Sequence, residues 1–252
     1  EAVRNLVAVG GDPDQVAVLD NFCWGDPTKS DRLGSLVRAV QGCTEGARRY
    51  GMPFISGKDS LFNEFDGEAI PGTLLISALG LVPDLHCAID SAGMAVGDDI
   101  WFVGRHQAAL GGSLASEEFG LGATDVPEPL VDPLPRYRAV HAAIASDLVT
   151  AAHDCSDGGL AVALSEMAIA ARQGVAIEVP TDGVDAATAL INEAPGRLLL
   201  SARAADREAV SAILGEHGRR IGAVTGDGFV SLGAVVVLLD DAVLAFTKGV
   251  VS

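Results

Sequence analysis

Asp154, Ser156 and Asp157 stand within four residues, followed at once by Gly158-Gly159 and an apolar run from Leu160 to Ala171. That order suits phosphate chemistry. Glycines let backbone approach a ligand closely, and a helix N-terminus offers unpaired N–H groups and a positive dipole end. The aspartates could instead hold a magnesium ion bridging phosphate oxygens. A simple helix cap with a glycine turn gives similar letters, although a cap needs one polar residue and here there are three.

Glu1 and Asn5 lie four apart on one predicted helix, so a carboxylate and an amide oxygen share a face. Both are ordinary magnesium ligands, and a solvated helix face reads the same way. Ser56, Gly57, Lys58, Asp59 and Ser60 follow a predicted strand. Small residues, hydroxyls and a lysine there suit phosphate contact or a polar turn, but the spacing is not that of a Walker A loop. Asp20 ends another predicted strand, next to a turn that carries Trp24. His153 reads as a histidine packed beside the acidic cluster rather than a base. Cys155 has no activating neighbour in sequence, so no catalytic residue is assigned.

These residues need elements to position them. Glu1 to Gly11 reads as the tail of a helix stopped by two glycines, and the missing N-cap leads us to expect that the domain begins upstream. Strands are predicted at 15–22, from Pro53 as far as a break at Gly57, and at 73–82. Between the first two, Leu33, Leu36, Val37 and Val40 recur at helical spacing within a helix over 32–51. A turn-rich connector over 83–97 sets an expected domain boundary near residue 88, dividing the chain into 1–88 and 89–252. Beyond it come a strand at 98–104, a loop with four prolines, and a helix over 137–148. A strand then runs into the acidic turn, and a helix carries Leu160, Leu164, Met167, Ala168 and Ala171 on one face, ended by Gly174. Further strands are predicted at 175–179, 197–202, 219–226 and 234–239, with a helix over 206–218. Such alternation belongs to a layered α/β or α+β domain.

Composition narrows the class. Of 252 residues, 49% are apolar, enough for a real core, and 30 are glycine. The net charge is −17, with no basic stripe, which argues against a nucleic-acid partner. Small phosphorylated ligands remain compatible, because magnesium and backbone N–H groups can hold them. The four cysteines form no C-x-x-C pair and fit reduced thiols in a cytoplasmic protein. No apolar run approaches the roughly 20 residues that cross a bilayer, so no membrane partner is expected.

Four stretches, "LDNFCWGDP", "PFISGKDSLFNE", "HDCSDGGLAVALSEMA" and "NEAPGRLLLS", occur in the same order in the phosphoribosylformylglycinamidine synthase family. The resemblance covers essentially the whole chain, and the last stretch is shared with the wider aminoimidazole ribonucleotide synthetase superfamily. It implies an α+β fold: a ferredoxin-like half domain, incomplete at its N-terminus, followed by an α/β C-terminal domain. It also implies the second of two tandem AB units in an ATP-dependent ligase of purine biosynthesis. That enzyme converts formylglycinamide ribonucleotide to the amidine with glutamine-derived ammonia. The implied partners are therefore the first AB unit and a glutaminase domain or subunit.

By the same resemblance, Glu1, Asn5 and Asp154 match magnesium ligands of the large, single-chain form. Ser156 matches a nucleotide contact, with Asp157 beside it. Asp20 and Gly57 match nucleotide contacts of the small form, and Ser60 a substrate contact. Lys58 stands where the small form has an asparagine assigned to magnesium. It follows the large form's "GKDS", and phosphate contact is the role it implies. The cofactors implied are Mg2+ and ATP, or a structural ADP. The family's catalytic histidine belongs to the first unit, and none of the five histidines here takes that role.

Overall fold

The computed structural model describes residues 1–248. Helix α1 (Ala2–Ala8) turns Val3, Val7 and Ala8 inward. Strand β1 (Val16–Cys23) follows, then the 21-residue helix α2 (Ser30–Tyr50) and strand β2 (Phe54–Ser60). A small hairpin, β3 (Glu64–Phe65) and β4 (Glu68–Ala69), leads to β5 (Thr73–Gly80). The first sheet has the order β2-β1-β5, with β1 parallel to β2 and antiparallel to β5.

The predicted break at Gly57 is not found: β2 runs through it to Ser60. Gly57 pairs with Asp20 on β1, and a Cβ at Gly57 would lie 2.4 Å from Asp20 Oδ1. The glycine makes room for a carboxylate on the neighbouring strand and does not end its own. The apolar stripe of α2 also behaves differently from an ordinary amphipathic helix. None of its residues is buried, and Leu33, Val37 and Val40 stay exposed. Leu75 and Leu79 are exposed on β5 as well.

Several of the distinctive letters in "DNFCWGDP" and "GKDSLFNE" turn out to hold loops together. Trp24 is buried and donates from Nε1 to Ser35 Oγ at 2.9 Å. Glu64 accepts from Lys29, from the Asp26 N–H at 3.0 Å and from Arg32 Nε at 3.1 Å. The Lys29 ammonium foremost, with the Asp26 N–H and Arg32, holds the Glu64 carboxyl down to about 2.

The second sheet begins with β6 (Asp99–Val103). A long loop containing the short helix α3 (Leu114–Glu118) then leads to α4 (Leu134–Ala145) and β7 (Ala151–Asp154). Next come α5 (Gly159–Ala171), β8 (Gly174–Ile177), α6 (Ala186–Ile191), β9 (Leu198–Ala202) and α7 (Arg207–Leu214). The described chain ends with β10 (Gly218–Thr225), β11 (Phe229–Leu232), β12 (Val235–Leu238) and α8 (Leu239–Lys248). The seven strands take the order β12-β11-β8-β10-β6-β9-β7.

This sheet is covered on both faces, so its central strands are apolar throughout rather than alternating. Trp101 and Val103 of β6 join one core with α1, α4 and α7. Ile100 and Phe102 join the other, against α5 and α8. The first core also contains Val16, Val18 and Met52, so α1 and α4 join the two sheets through one apolar seam.

Two local readings are corrected. Gly174 does not end α5. The helix stops at Ala171 because Arg172 adopts a left-handed φ of 55°, and Gly174 opens β8. Helix α4 starts before Tyr137, with Pro135 in its first turn, where proline's missing N–H costs nothing.

The Glu64 clamp yields a test. A carboxyl held low stabilises the fold above its ordinary value, and that contribution is lost as pH falls through its folded value. Glu64→Gln is expected to lower the melting temperature near neutral pH. The gap to wild type should shrink as pH drops from about 4.5 toward 2. Thermal scans across that range check it, and a gap independent of pH would assign the loss to packing instead.

Candidate functional site

Strand β7 ends at Asp154 and α5 begins at Gly159, with Gly158 and Gly159 at φ 73° and 66°. A Cβ on Gly159 would lie 2.3 Å from Asn192 O, so the turn needs glycine for space as well as for φ. Helix α1 packs beside β7. That contact brings its polar side chains to Asp154.

The Asn5 carboxamide sits against the Asp154 carboxylate. Turned one way, its nitrogen donates to Oδ1 at 3.1 Å and Oδ2 at 2.8 Å. Turned the other way, its oxygen joins the carboxylate in a converging set of acceptors that a hard divalent cation would satisfy. Ser156 Oγ donates to Asp154 and lies 3.4 Å from Glu1 Oε1. Glu1, Asn5, Asp154 and Ser156 therefore form one cluster, while Asp157 is exposed beside it. His153 packs alongside, as its sequence position suggests. Its Nδ1 lies 2.7 Å from Asp154 O, and its Nε2 lies 3.3 Å from Glu166.

The same cluster contains Arg4, which the sequence reading did not single out. Arg4 is buried. Its Nε donates to Asp154 Oδ2 at 3.2 Å, and its Nη2 lies 3.1 Å from that oxygen and donates to Ser156 Oγ at 2.7 Å. The signal was present: Arg4, Val7 and Ala8 fall at i, i+3 and i+4, so an arginine occupies the apolar stripe of its helix.

The "NEAPGR" segment holds the turn from below. Asn192 Nδ2 donates to Ala109 O at 2.9 Å and to Gln107 O at 2.5 Å. Glu193 Oε1 accepts from Gly158 N–H at 2.8 Å and Leu114 N–H at 2.9 Å. The Gly158 N–H offered to phosphate in the sequence reading is thus bonded to the chain's own carboxylate. Arg197 is fully buried and donates to Ala194 O at 2.7 Å and to Asn192 O. Its carbonyl takes the Cys155 N–H at 3.0 Å. Burial pushes the Cys155 thiol up to about 11, which leaves it inert.

The remaining candidates divide by strand register. Asp20 pairs with Gly57, so the two share one face of the first sheet. Lys58 and Ser60, at odd offset from Gly57, lie on the opposite face. A cavity of about 620 Å³ lies between α1, α2 and the sheet, with Glu1 and Asn5 in its wall beside Val18, Tyr50 and Ile76. A second, of about 450 Å³, includes Asp20 and shares Cys43, Ala47, Met52 and Phe54 with the first. Together they form one trough, with the Glu1–Asn5 cluster toward one end and Asp20 toward the other. Lys58 and Ser60 do not line it.

Fold and site together define an α/β protein of two sheets, with an acidic and amide cluster where its first helix meets the second sheet. Residues 1–82 match the N-terminal domain of AIR synthase related proteins, and residues 95–234 match the C-terminal domain. The chain belongs to the AIR synthase related family. A phosphoribosylformylglycinamidine synthase subunit PurL from Chelativorans sp. (strain BNC1) is 40% identical over 228 residues, covering 88% of this chain and 30% of that protein. The subunit from Caulobacter vibrioides is 36% identical over 244 residues, covering 95% of this chain and 32% of that protein. The chain thus spans about a third of the length of these relatives.

Among solved structures, T. maritima PurL complexed with FGAR superposes with a TM-score of 0.74 at 18% identity, over 96% of this chain and 41% of that one. Hydrogenase maturation protein HypE in complex with ATP gives 0.67 at 21%, over 90% and 69%. At these identities the likeness is one of fold.

The support beneath the turn predicts an acid limit to stability. His106 is buried, stacked on Phe102, with Nδ1 3.1 Å from Arg197 Nη1. Burial first, and then the Arg197 charge, push its imidazole from 6.5 down to about 4. The unfolded chain takes up this proton first, so stability falls as pH drops from about 6.5 to about 4, by about 3 kcal/mol in all. Denaturant titrations of wild type and His106→Gln across this window check it. The variant should lose most of the slope.

Proposed function

We propose that this chain is the second AB unit of a phosphoribosylformylglycinamidine synthase, with a boundary near residue 88 between a ferredoxin-like half domain and the α/β domain. The complete enzyme would convert formylglycinamide ribonucleotide to the amidine, using ATP and ammonia delivered from a glutaminase domain or subunit. One observation carries the reading: Glu1, Asn5, Asp154 and Ser156 converge beside a trough of nucleotide size. The likeness to T. maritima PurL, solved with FGAR, with ATP and with ADP, supports it.

In this reading Glu1, Asn5 and Asp154 hold Mg2+, whose chemistry is to neutralise and orient nucleotide phosphates. The acceptors present fit that ion: two carboxylates and an amide oxygen, all hard donors. Ser156, with Asp157 beside it, contacts the phosphates, and the apolar trough wall takes the base. Asp20 lies at the far end of the trough, with Gly57 paired beside it on β2. Lys58 and Ser60, on the opposite sheet face, are assigned to a ligand approaching from that side, a phosphate contact and a substrate contact. The exposed Leu33, Val37, Val40, Leu75 and Leu79 belong to a half domain that another unit covers. The first AB unit is the partner assigned there.

A second reading makes the nucleotide a structural ADP. It is favoured by His153, whose two ring nitrogens already face Asp154 O and Glu166, so this histidine is not free to act as a base beside the cluster. Asp154→Asn in the complete enzyme separates the two. A structural nucleotide predicts a lower melting temperature with near-normal turnover of the surviving protein, because a ligand bound only to the folded state stabilises it. A catalytic nucleotide predicts turnover lower by orders of magnitude; because the variant also weakens the pairing of buried Arg4, the melting temperature falls in either case and turnover decides between them. A variant with normal turnover and an undiminished melting-temperature gain from added ADP overturns the nucleotide site and leaves Asp154 as the partner of Arg4.

The uncovered half domain gives a separate expectation. Light scattering of residues 1–252 alone should show a dimer or larger species, and their assay with substrate, ATP and ammonium should show no amidine. A monomer with little exposed apolar surface contradicts the assembly.

A further inference from the structure

We infer that Arg4 makes cation binding at the Glu1–Asn5–Asp154 cluster conditional on a bound phosphate, so that metal and nucleotide enter as a coupled pair. The inference rests on reading that cluster as the metal-nucleotide site, and it adds the residue that sets the order and strength of binding.

The argument is one of charge and confinement. The guanidinium is permanently charged and its side chain is 5% exposed. Its partners are Asp154 and Ser156, and α1 fixes it in the seam between the sheets. It cannot swing into water when a cation arrives. The cluster carries two carboxylates against one guanidinium, a net charge of minus one. A divalent ion on Asp154 would reverse that sign within a few ångströms of Arg4, in surroundings that screen charge poorly.

It would also compete with Arg4 for Asp154 Oδ2, the oxygen that faces the guanidinium. A nucleotide's phosphate oxygens remove both difficulties. They supply the missing negative charge, and they offer Arg4 new acceptors in place of the carboxylate it yields. The known contacts use Nε and Nη2. Among the described residues Nη1 is uncommitted and can donate to phosphate. By linkage the effect is reciprocal: the cation strengthens nucleotide binding by the same factor that nucleotide strengthens cation binding.

The test measures binding and needs no turnover. Mn2+ is titrated into the complete protein with and without ADP, by electron paramagnetic resonance of the free ion. The signal at this site is the part lost in Asp154→Asn. In wild type, ADP is expected to tighten Mn2+ at this site by about tenfold or more. Arg4→Gln should bind Mn2+ alone more tightly than wild type and lose most of the enhancement by ADP. Arg4→Lys, which keeps the charge, should retain it. Equal Mn2+ affinity with and without ADP in wild type overturns the inference while leaving the nucleotide site standing, and this result does not depend on any variant folding. Enhancement undiminished in Arg4→Gln overturns it too. A wild-type protein with no Asp154-dependent Mn2+–ADP binding overturns both this inference and the function on which it rests.

Discussion

Arg4 carries a fixed charge into the apolar seam between the two sheets, and the site exists because Asp154 is there to meet it. An unpaired guanidinium at that depth would cost several kcal/mol, so the register of α1 against β7 is dictated by the pair. Once α1 is seated, Glu1 and Asn5 on its solvent side have no choice of position, and they stand over the end of β7. The pair is a poor source of net stability, since desolvation offsets much of its attraction. What it supplies is geometry. Ser156, accepting from Arg4 and donating to Asp154, sets the first residue of the turn in the same frame.

The turn itself is held by charge of the opposite sense. Glu193 takes two backbone N–H groups, from the start of α5 and the start of α3, and so ties the long loop after β6 to the acidic turn. Arg197, buried with no carboxylate in contact among the described residues, is satisfied by carbonyls and by a neutral His106. A helix N-terminus that looked free for phosphate is thus partly closed by the protein's own anion. On the proposed reading, phosphate recognition then falls to the side chains of α1 and the acidic turn and to a cation, rather than to bare backbone.

Much of this was legible in the sequence, for identifiable reasons. The apolar strands of the second sheet and the Leu160–Ala171 helix read correctly because both faces of that sheet are covered and periodicity survives. The i, i+4 relation of Glu1 and Asn5, and the acidic turn, located the cluster. Three things were hidden. Arg4 was hidden because a lone arginine on a seven-residue helix looks like surface until the helix is docked. Gly57 was misread because its reason is a side chain on another strand, and no local pattern encodes a cross-strand clearance. The short strand at 229–232 and the helices at 114–118, 186–191 and 239–248 were missed, being brief or close to turns, where periodicity has too few residues to register. The division of Asp20 and Gly57 from Lys58 and Ser60 could have been anticipated from strand alternation alone.

The distribution of charge gives these local devices a common logic. The chain carries 34 acidic residues against 17 lysines and arginines, so its long-range field repels anions. A phosphorylated ligand gains no electrostatic steering from such a surface. Yet Arg4 and Arg197 lie in the interior, beside the acidic turn and beneath it, out of reach of counterions. On the proposed reading, attraction for phosphate is therefore confined to short range and to one place. On that reading, a nucleotide whose charge is partly masked by a divalent ion approaches the acidic surface at less cost than a bare one, and meets the Arg4 guanidinium only once inside. The internal arginine and the acidic exterior then favour the same species, the metal–nucleotide pair, over either component alone.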